Sequence, residues 1–167
     1  MIVLGIDPGT ASTGFGVIES AGSRLHAHTA GVIETRPGVA LERRLAEIHA
    51  CVGNLLEEYR PAAVAIEELY FGANVRTAFA VGQARGVMLL AAGQRGVPSS
   101  SYTPQQVKAA VCGQGGAGKD QVARMVTRLL GLTEAPAADH ASDALAVAIC
   151  ECNRAPLARA LALGGAR

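Results

Sequence analysis

The chain has 167 residues, of which 50% are hydrophobic and 17% charged, with a formal net charge of +1. That length suits one domain, and the composition excludes a disordered chain. No apolar run approaches the ~20 residues needed to cross a bilayer, and three Phe, three Tyr and no Trp leave the core to Ala, Val, Leu and Ile.

Met1–Asp7 lacks a basic leader and a cleavage site and reads as a strand that starts at once, which points to a cytoplasmic protein. Ile2–Ile6 has the apolar run of a central strand, broken by the Asp7-Pro8-Gly9-Thr10 turn. Gly14–Glu19 and Leu25–Glu34 read as two further strands, and Pro37-Gly38 breaks the chain again. Val39–Tyr59 repeats Leu41, Leu45, Ile48, Val52, Leu55 and Leu56 at helical spacing, and Pro61 stops it. Ala63–Ile66 is a short buried strand ending at Glu67-Glu68. Asn74–Gln94 is an Ala-rich helix and Val97–Tyr102 a strand. Thr103-Pro104 is a helix start, with Thr as cap and Pro in the first turn. Cys112–Gly118 is Gly-rich; Lys119–Leu130 and Pro136–Asn153 are helical. The order, summarised as βββαβαβαα with acids at strand ends, predicts an α/β fold, a mixed sheet with helices on its faces. Residues 1–153 form the domain and residues 154–167 a flexible C-terminal tail.

The four cysteines, Cys51, Cys112, Cys150 and Cys152, contain no C-x-x-C pair and read as reduced, packed thiols rather than a zinc site or a disulfide framework. Charge is unevenly distributed. Residues 1–69 carry nine acids and five bases, whereas residues 70–130 carry seven bases against the single acid Asp120. A basic middle between acidic flanks is the pattern of a polyanion-binding face beside a carboxylate site.

Asp7 and Glu67 each stand where a buried strand stops, so both can point into one crevice at the strands' carboxyl ends. On the last helix His140 and Asp143 are three apart and share a face, with Asp139 on its border. Carboxylates gathered in this way repel unless a cation holds them. Oxygen donors that leave room for water and substrate phosphate suit Mg²⁺. Two such ions can clamp the attacking and leaving oxygens of a phosphodiester, so the expected chemistry is metal-assisted phosphodiester hydrolysis.

At these motifs the chain resembles the RuvC family of Holliday junction resolvases. The matching stretches are Gly5-Ile6-Asp7-Pro8-Gly9-Thr10, Ala65-Ile66-Glu67-Glu68, Val81-Gly82-Gln83-Ala84-Arg85-Gly86, Gln106-Val107-Lys108 and Asp143-Ala144-Leu145-Ala146, in order to about residue 153. The resemblance implies an RNase H-like fold with a five-stranded mixed sheet flanked by helices. It implies a homodimer that resolves four-way DNA junctions in recombination and repair by paired symmetric Mg²⁺-dependent nicks, leaving 5′-phosphate and 3′-hydroxyl ends. It also implies RuvA and RuvB as branch-migration partners. Carried over by position, Asp7, Glu67 and Asp143 match the catalytic, metal-binding acids. His140 stands where some members have Asp; imidazole also binds divalent ions, so Mn²⁺ can substitute for Mg²⁺ or be preferred. Asp139 is the alternative at that position, turned further round the helix. Lys108 and Lys119, the two lysines of the chain, match basic positions at the scissile phosphate. Tyr70 and Phe71 suit base stacking at an opened junction, and Arg76 a backbone phosphate. Asn74–Gln94 has small residues that permit close helix approach, and the resemblance implies that it forms the dimer interface.

Two other readings compete. Gly-Ile-Asp-x-Gly-Thr also resembles the phosphate turn of actin-like ATPases and sugar kinases, which need two duplicated lobes where this length has room for one. A non-catalytic nucleic-acid-binding module would use the basic segment alone and would tolerate Asp7→Asn.

Overall fold

The computed structural model describes residues 1–68 and 75–164, with side chains for 1–68 and 78–154. In chain order the elements are β1 (Ile2–Asp7), β2 (Ser12–Ala21), β3 (Arg24–Glu34), α1 (Leu41–Tyr59), β4 (Ala63–Glu67), α2 (Val75–Gln94), β5 (Ser99–Tyr102), α3 (Pro104–Cys112), α4 (Lys119–Leu130) and α5 (Asp139–Gly164). The strands form one sheet in the order β3-β2-β1-β4-β5. β1 and β2 pair antiparallel, as do β2 and β3, whereas β1–β4 and β4–β5 are parallel. This is the five-stranded mixed sheet expected from the sequence.

Several boundaries differ from expectation, each for a local reason. β5 begins at Ser99 rather than Val97, because Pro98 has no N–H for the ladder; its carbonyl accepts from Val64 N instead. Three helices follow β5, at the three places the sequence marks as helical, one more than the summary order βββαβαβαα counts. The first is stabilised by a capping box in which Thr103 and Gln106 satisfy each other's backbone N–H groups. α5 begins at Asp139 rather than Pro136; the Ala138 carbonyl accepts the first bonds, from Ala141 and Ser142. It also runs past the expected end at Asn153 to Gly164, because residues 157–163 are Ala, Leu and Arg, all strong helix formers. The segment expected as a tail from residue 154 therefore starts as a continuation of α5.

Side-chain alternation along the strands sorts the core into two layers. Leu4 and Ile6 of β1, with Val64 and Ile66 of β4, face α1 and α2 and pack with Ile48, Val52, Ala84 and Met88. Val3 and Ala65 face the other way, towards α3, α4 and α5, with Val107, Val126, Leu145 and Ile149. Asp7 and Glu67 continue the series of Val3 and Ala65, so both acids emerge on the α5 side. The segment of α5 from Ala144 to Cys152 is buried all round apart from its polar contacts, as befits a helix held between a sheet and two other helices. Burial pushes the Cys150 and Cys152 thiols up to about 11, and all four cysteines are free. No helix among the described residues is long and apolar enough to cross a membrane.

Candidate active site

Register places the first two acids side by side. Gly5 pairs with Ala65 and Ile6 with Ile66 across the parallel β1–β4 ladder, and Asp7 and Glu67 are the next residue on each strand. α5 then lies close over the sheet because β1 and β2 present glycines beneath its first turns. A Cβ on Gly5 would fall 2.1 Å from the Ala144 carbonyl oxygen, and one on Gly14 would fall 1.9 Å from that of His140. Those two glycines let the first turns of α5 descend to the strand ends. His140 Nδ1 comes to 2.6 Å from Asp7 Oδ2, and since a carboxylate only accepts, the imidazole N–H donates.

Asp143, one turn on, shares a cleft of about 250 Å³ with Glu67, Lys108 and Lys119, over a wall of Val107, Val122 and Ala146. Lys108 reaches it from α3 and Lys119 from the start of α4. The Lys119 ammonium stands 3.6 Å from Asp143 Oδ2 and 3.5 Å from Asp139 Oδ2. Asp139 is directed to Lys119 and is largely solvent-exposed, whereas His140 meets Asp7; the structure thus separates the two residues that the sequence left as alternatives.

The electrostatics follow from this crowding. Glu67 is pushed up to about 8, first by burial and then by the negative charges of Asp7 and Asp143. Burial also raises Asp143, against the opposing pull of the Lys119 ammonium. Lys119 in turn is raised, chiefly by Asp143. The donor set, carboxylate oxygens with one imidazole at a point of concentrated negative charge, fits a divalent cation. Glu67 and Asp143 line the cleft, with Asp7 and its partner His140 beside them, and the groups do not close into a cage: among the described residues no three His, Cys, Asp or Glu side chains come together as a ready-made metal site.

Of the residues expected at the site, Asp7, Glu67, His140, Asp143, Lys108 and Lys119 are brought to this one region. Tyr70 and Phe71 lie outside the described residues, and Arg76 is described in its backbone alone, as part of α2. Sequence reasoning missed the support beneath the cleft. Tyr102, in register with Glu67 across β4–β5, donates its buried hydroxyl to Glu151 Oε2 at 2.6 Å. An isolated acid in the apolar stretch of α5 was the available signal. It also missed Arg44 and Thr35, which bond to the β1–β2 turn.

The family model described as "Crossover junction endodeoxyribonuclease RuvC" matches residues 3–151. A protein of that description from Pelotomaculum thermopropionicum is 48% identical over 163 residues, covering 98% of this chain and 99% of the relative. The solved structure of Thermus thermophilus RuvC matches with a TM-score of 0.88 at 42% identity, covering 95% of this chain and 97% of that one. Thermus thermophilus RuvC in complex with a Holliday junction substrate matches with a TM-score of 0.87 at 39% identity, covering 94% and 96%. With its sheet order, its acids gathered where β1, β4 and α5 meet, and this likeness along nearly its whole length, the chain belongs to the RuvC family of crossover junction endodeoxyribonucleases, with the RNase H-like fold.

Proposed function

We propose that this protein resolves Holliday junctions by nicking two like strands of a four-way DNA junction, with Asp7, Glu67, His140 and Asp143 as its catalytic and metal-binding residues. The observation that carries the reading is that Asp7 and Asp143 lie near enough to a largely buried Glu67 for burial, and then their negative charges, to push it up to about 8. Such an arrangement is unfavourable in an apo protein and becomes favourable when a cation and a phosphodiester share the cleft. A divalent ion, or a pair of them, would supply an activated water and stabilise the departing oxygen. Asp7, Glu67 and Asp143 offer oxygens for it. His140, with Nδ1 donating to Asp7, keeps its Nε2 lone pair for a cation. That nitrogen suits Mn²⁺ as well as Mg²⁺. Lys108 and Lys119 face the same cleft and meet the charge of the scissile phosphate. In this reading Arg76 holds a neighbouring backbone phosphate, and Tyr70 and Phe71 stack on bases opened at the crossover.

The working unit is a homodimer, since a junction with two-fold symmetry presents two equivalent strands to cut. Phe79 and Leu90 of α2 are 70% and 53% exposed, and Gly86 between them has open space where a Cβ would stand. This apolar, indented helix face fits a second copy of the chain. RuvA and RuvB are the branch-migration partners, and the free thiols suit the reducing cytoplasm. The test is a synthetic mobile four-way junction incubated with Mg²⁺ and, separately, Mn²⁺. Paired symmetric nicks leaving ligatable ends, lost in Asp7→Asn while junction binding persists, are expected. Degradation of linear duplex or RNA–DNA hybrid in place of junction cutting would overturn the assignment.

A further inference from the structure

The turn that follows Asp7 is held from outside the site by a closed set of hydrogen bonds. Arg44 of α1 donates through Nη2 to the Thr10 carbonyl at 2.9 Å and through Nε to Thr35 Oγ1 at 2.7 Å. Thr35 donates its own hydroxyl to the same carbonyl at 2.6 Å. The directions are fixed by chemistry: guanidinium only donates, a carbonyl only accepts, and the hydroxyl does both. Thr35 is 5% exposed, and its backbone N–H donates to the Ala11 carbonyl at 3.0 Å. The buried Thr13 hydroxyl takes the remaining carbonyl of the turn's centre, that of Gly9, at 2.6 Å. Arg44 and the turn line a groove of about 550 Å³ together with His140, and neither lysine lines it.

We propose that Arg44 is a positioning residue for strand cleavage: its two-pronged bond to Thr10 and Thr35 fixes the Pro8–Ala11 turn and so holds the Asp7 carboxylate against His140. The proposal rests on the reading of Asp7 as catalytic. Asp7 has the sheet on one side and this turn on the other. Without the fork, the turn keeps only the Thr13 hydroxyl on Gly9, the Thr35 hydroxyl on Thr10 and the Thr35 N–H on Ala11, and its Thr10 carbonyl is held less firmly. The planar fork spans both acceptors at once, which the point charge of a lysine does not.

That difference separates positioning from simple attraction of DNA. Arg44→Ala and Arg44→Lys are expected to lower kcat for junction nicking alike, about 10- to 100-fold, since small misplacements of a reacting group have effects of that order. Junction Kd and KM are expected to stay at wild-type values. Amide hydrogen exchange at residues 9–11 is expected to quicken in both variants, measured without metal or DNA. Thr35→Val should reproduce the loss, Thr35→Ser should retain wild-type kcat, and Thr35→Val combined with Arg44→Lys should be no worse than either alone. The Thr35 pair keeps the test decisive if Arg44→Ala does not fold. The proposal is overturned if kcat and exchange stay at wild-type values. It is equally overturned if Arg44→Ala weakens junction binding and lowers its salt slope by about 1 while Arg44→Lys restores both, the signature of a phosphate contact. Asp7→Asn run alongside isolates the premise: nicking at the wild-type rate in that variant refutes the catalytic reading of Asp7, whatever Arg44 does.

Discussion

Glu67 shows what burying an acid beside two others costs the site. Unfolded, it ionises near its ordinary 4.5; folded, it keeps its proton to about 8. Between those values the folded state binds the extra proton, so stability falls as pH rises through that window. Glu67→Gln is expected to flatten this fall and to raise Tm at pH 8 more than at pH 5, at roughly 2–4 °C per kcal/mol recovered. Mg²⁺ added to the wild type should raise Tm most at the upper end of the same window, and the check is a thermal melt at each pH with and without the ion. The same substitution should reduce junction nicking by about 100-fold or more while leaving junction binding intact, as for other groups that act on transition-state charge. Lys119 sets a second titration. It opposes the rise of Asp143 caused by burial, so Lys119→Met is expected to move the acid limb of the kcat/KM profile to higher pH, read from nicking rates between pH 5 and 9.

At the scale of elements, the site depends on how closely α5 approaches the sheet. At Gly5 and Gly14 any side chain would run into the backbone of that helix, at Ala144 and His140. Gly14→Ala is therefore expected to lift the N-terminal turn of α5 from β2 and to break the contact between His140 and Asp7. Overpacking of this kind costs about 1–3 kcal/mol or more, so the variant should melt several degrees lower and lose nicking out of proportion to its loss of folded protein. Circular-dichroism melts paired with junction assays measure both effects. α3 and α4 each deliver one lysine to the site: Lys108 from the middle of α3, and Lys119 from the first position of α4.

For the whole molecule, two faces lead away from the cleft. One is the lysine side, towards α3 and α4; the other is α2, whose exposed Phe79 and Leu90 leave an apolar stripe at helical spacing. If this stripe joins two copies of the chain as proposed, Phe79→Asp with Leu90→Asp is expected to give a monomer in sedimentation velocity. Such a monomer should release singly nicked junctions in place of paired products. Wild-type protein that is already monomeric at assay concentration would refute this assignment of the stripe.

Composition, hydrophobic periodicity and turn chemistry determined the elements, because each of these is a local property of the chain. The Ile2–Ile6 run, the Pro8-Gly9 break and the Thr103-Pro104 start are legible without any partner. Strand-ending acids together with the ordered motifs pointed to the family and to Asp7, Glu67, His140 and Asp143. Tertiary structure decided what depends on pairing between distant segments. Whether His140 or Asp139 meets Asp7 was settled by the descent of α5 onto Gly5 and Gly14, a steric fact about a helix and two strands more than 120 residues away in sequence. The Tyr102–Glu151 bond and the Arg44–Thr35–Thr10 triangle were equally hidden. A lone Arg or Glu on a helix looks the same in sequence whether it faces water or a buried acceptor, and the distinction arises when the sheet and its two helical layers close around it.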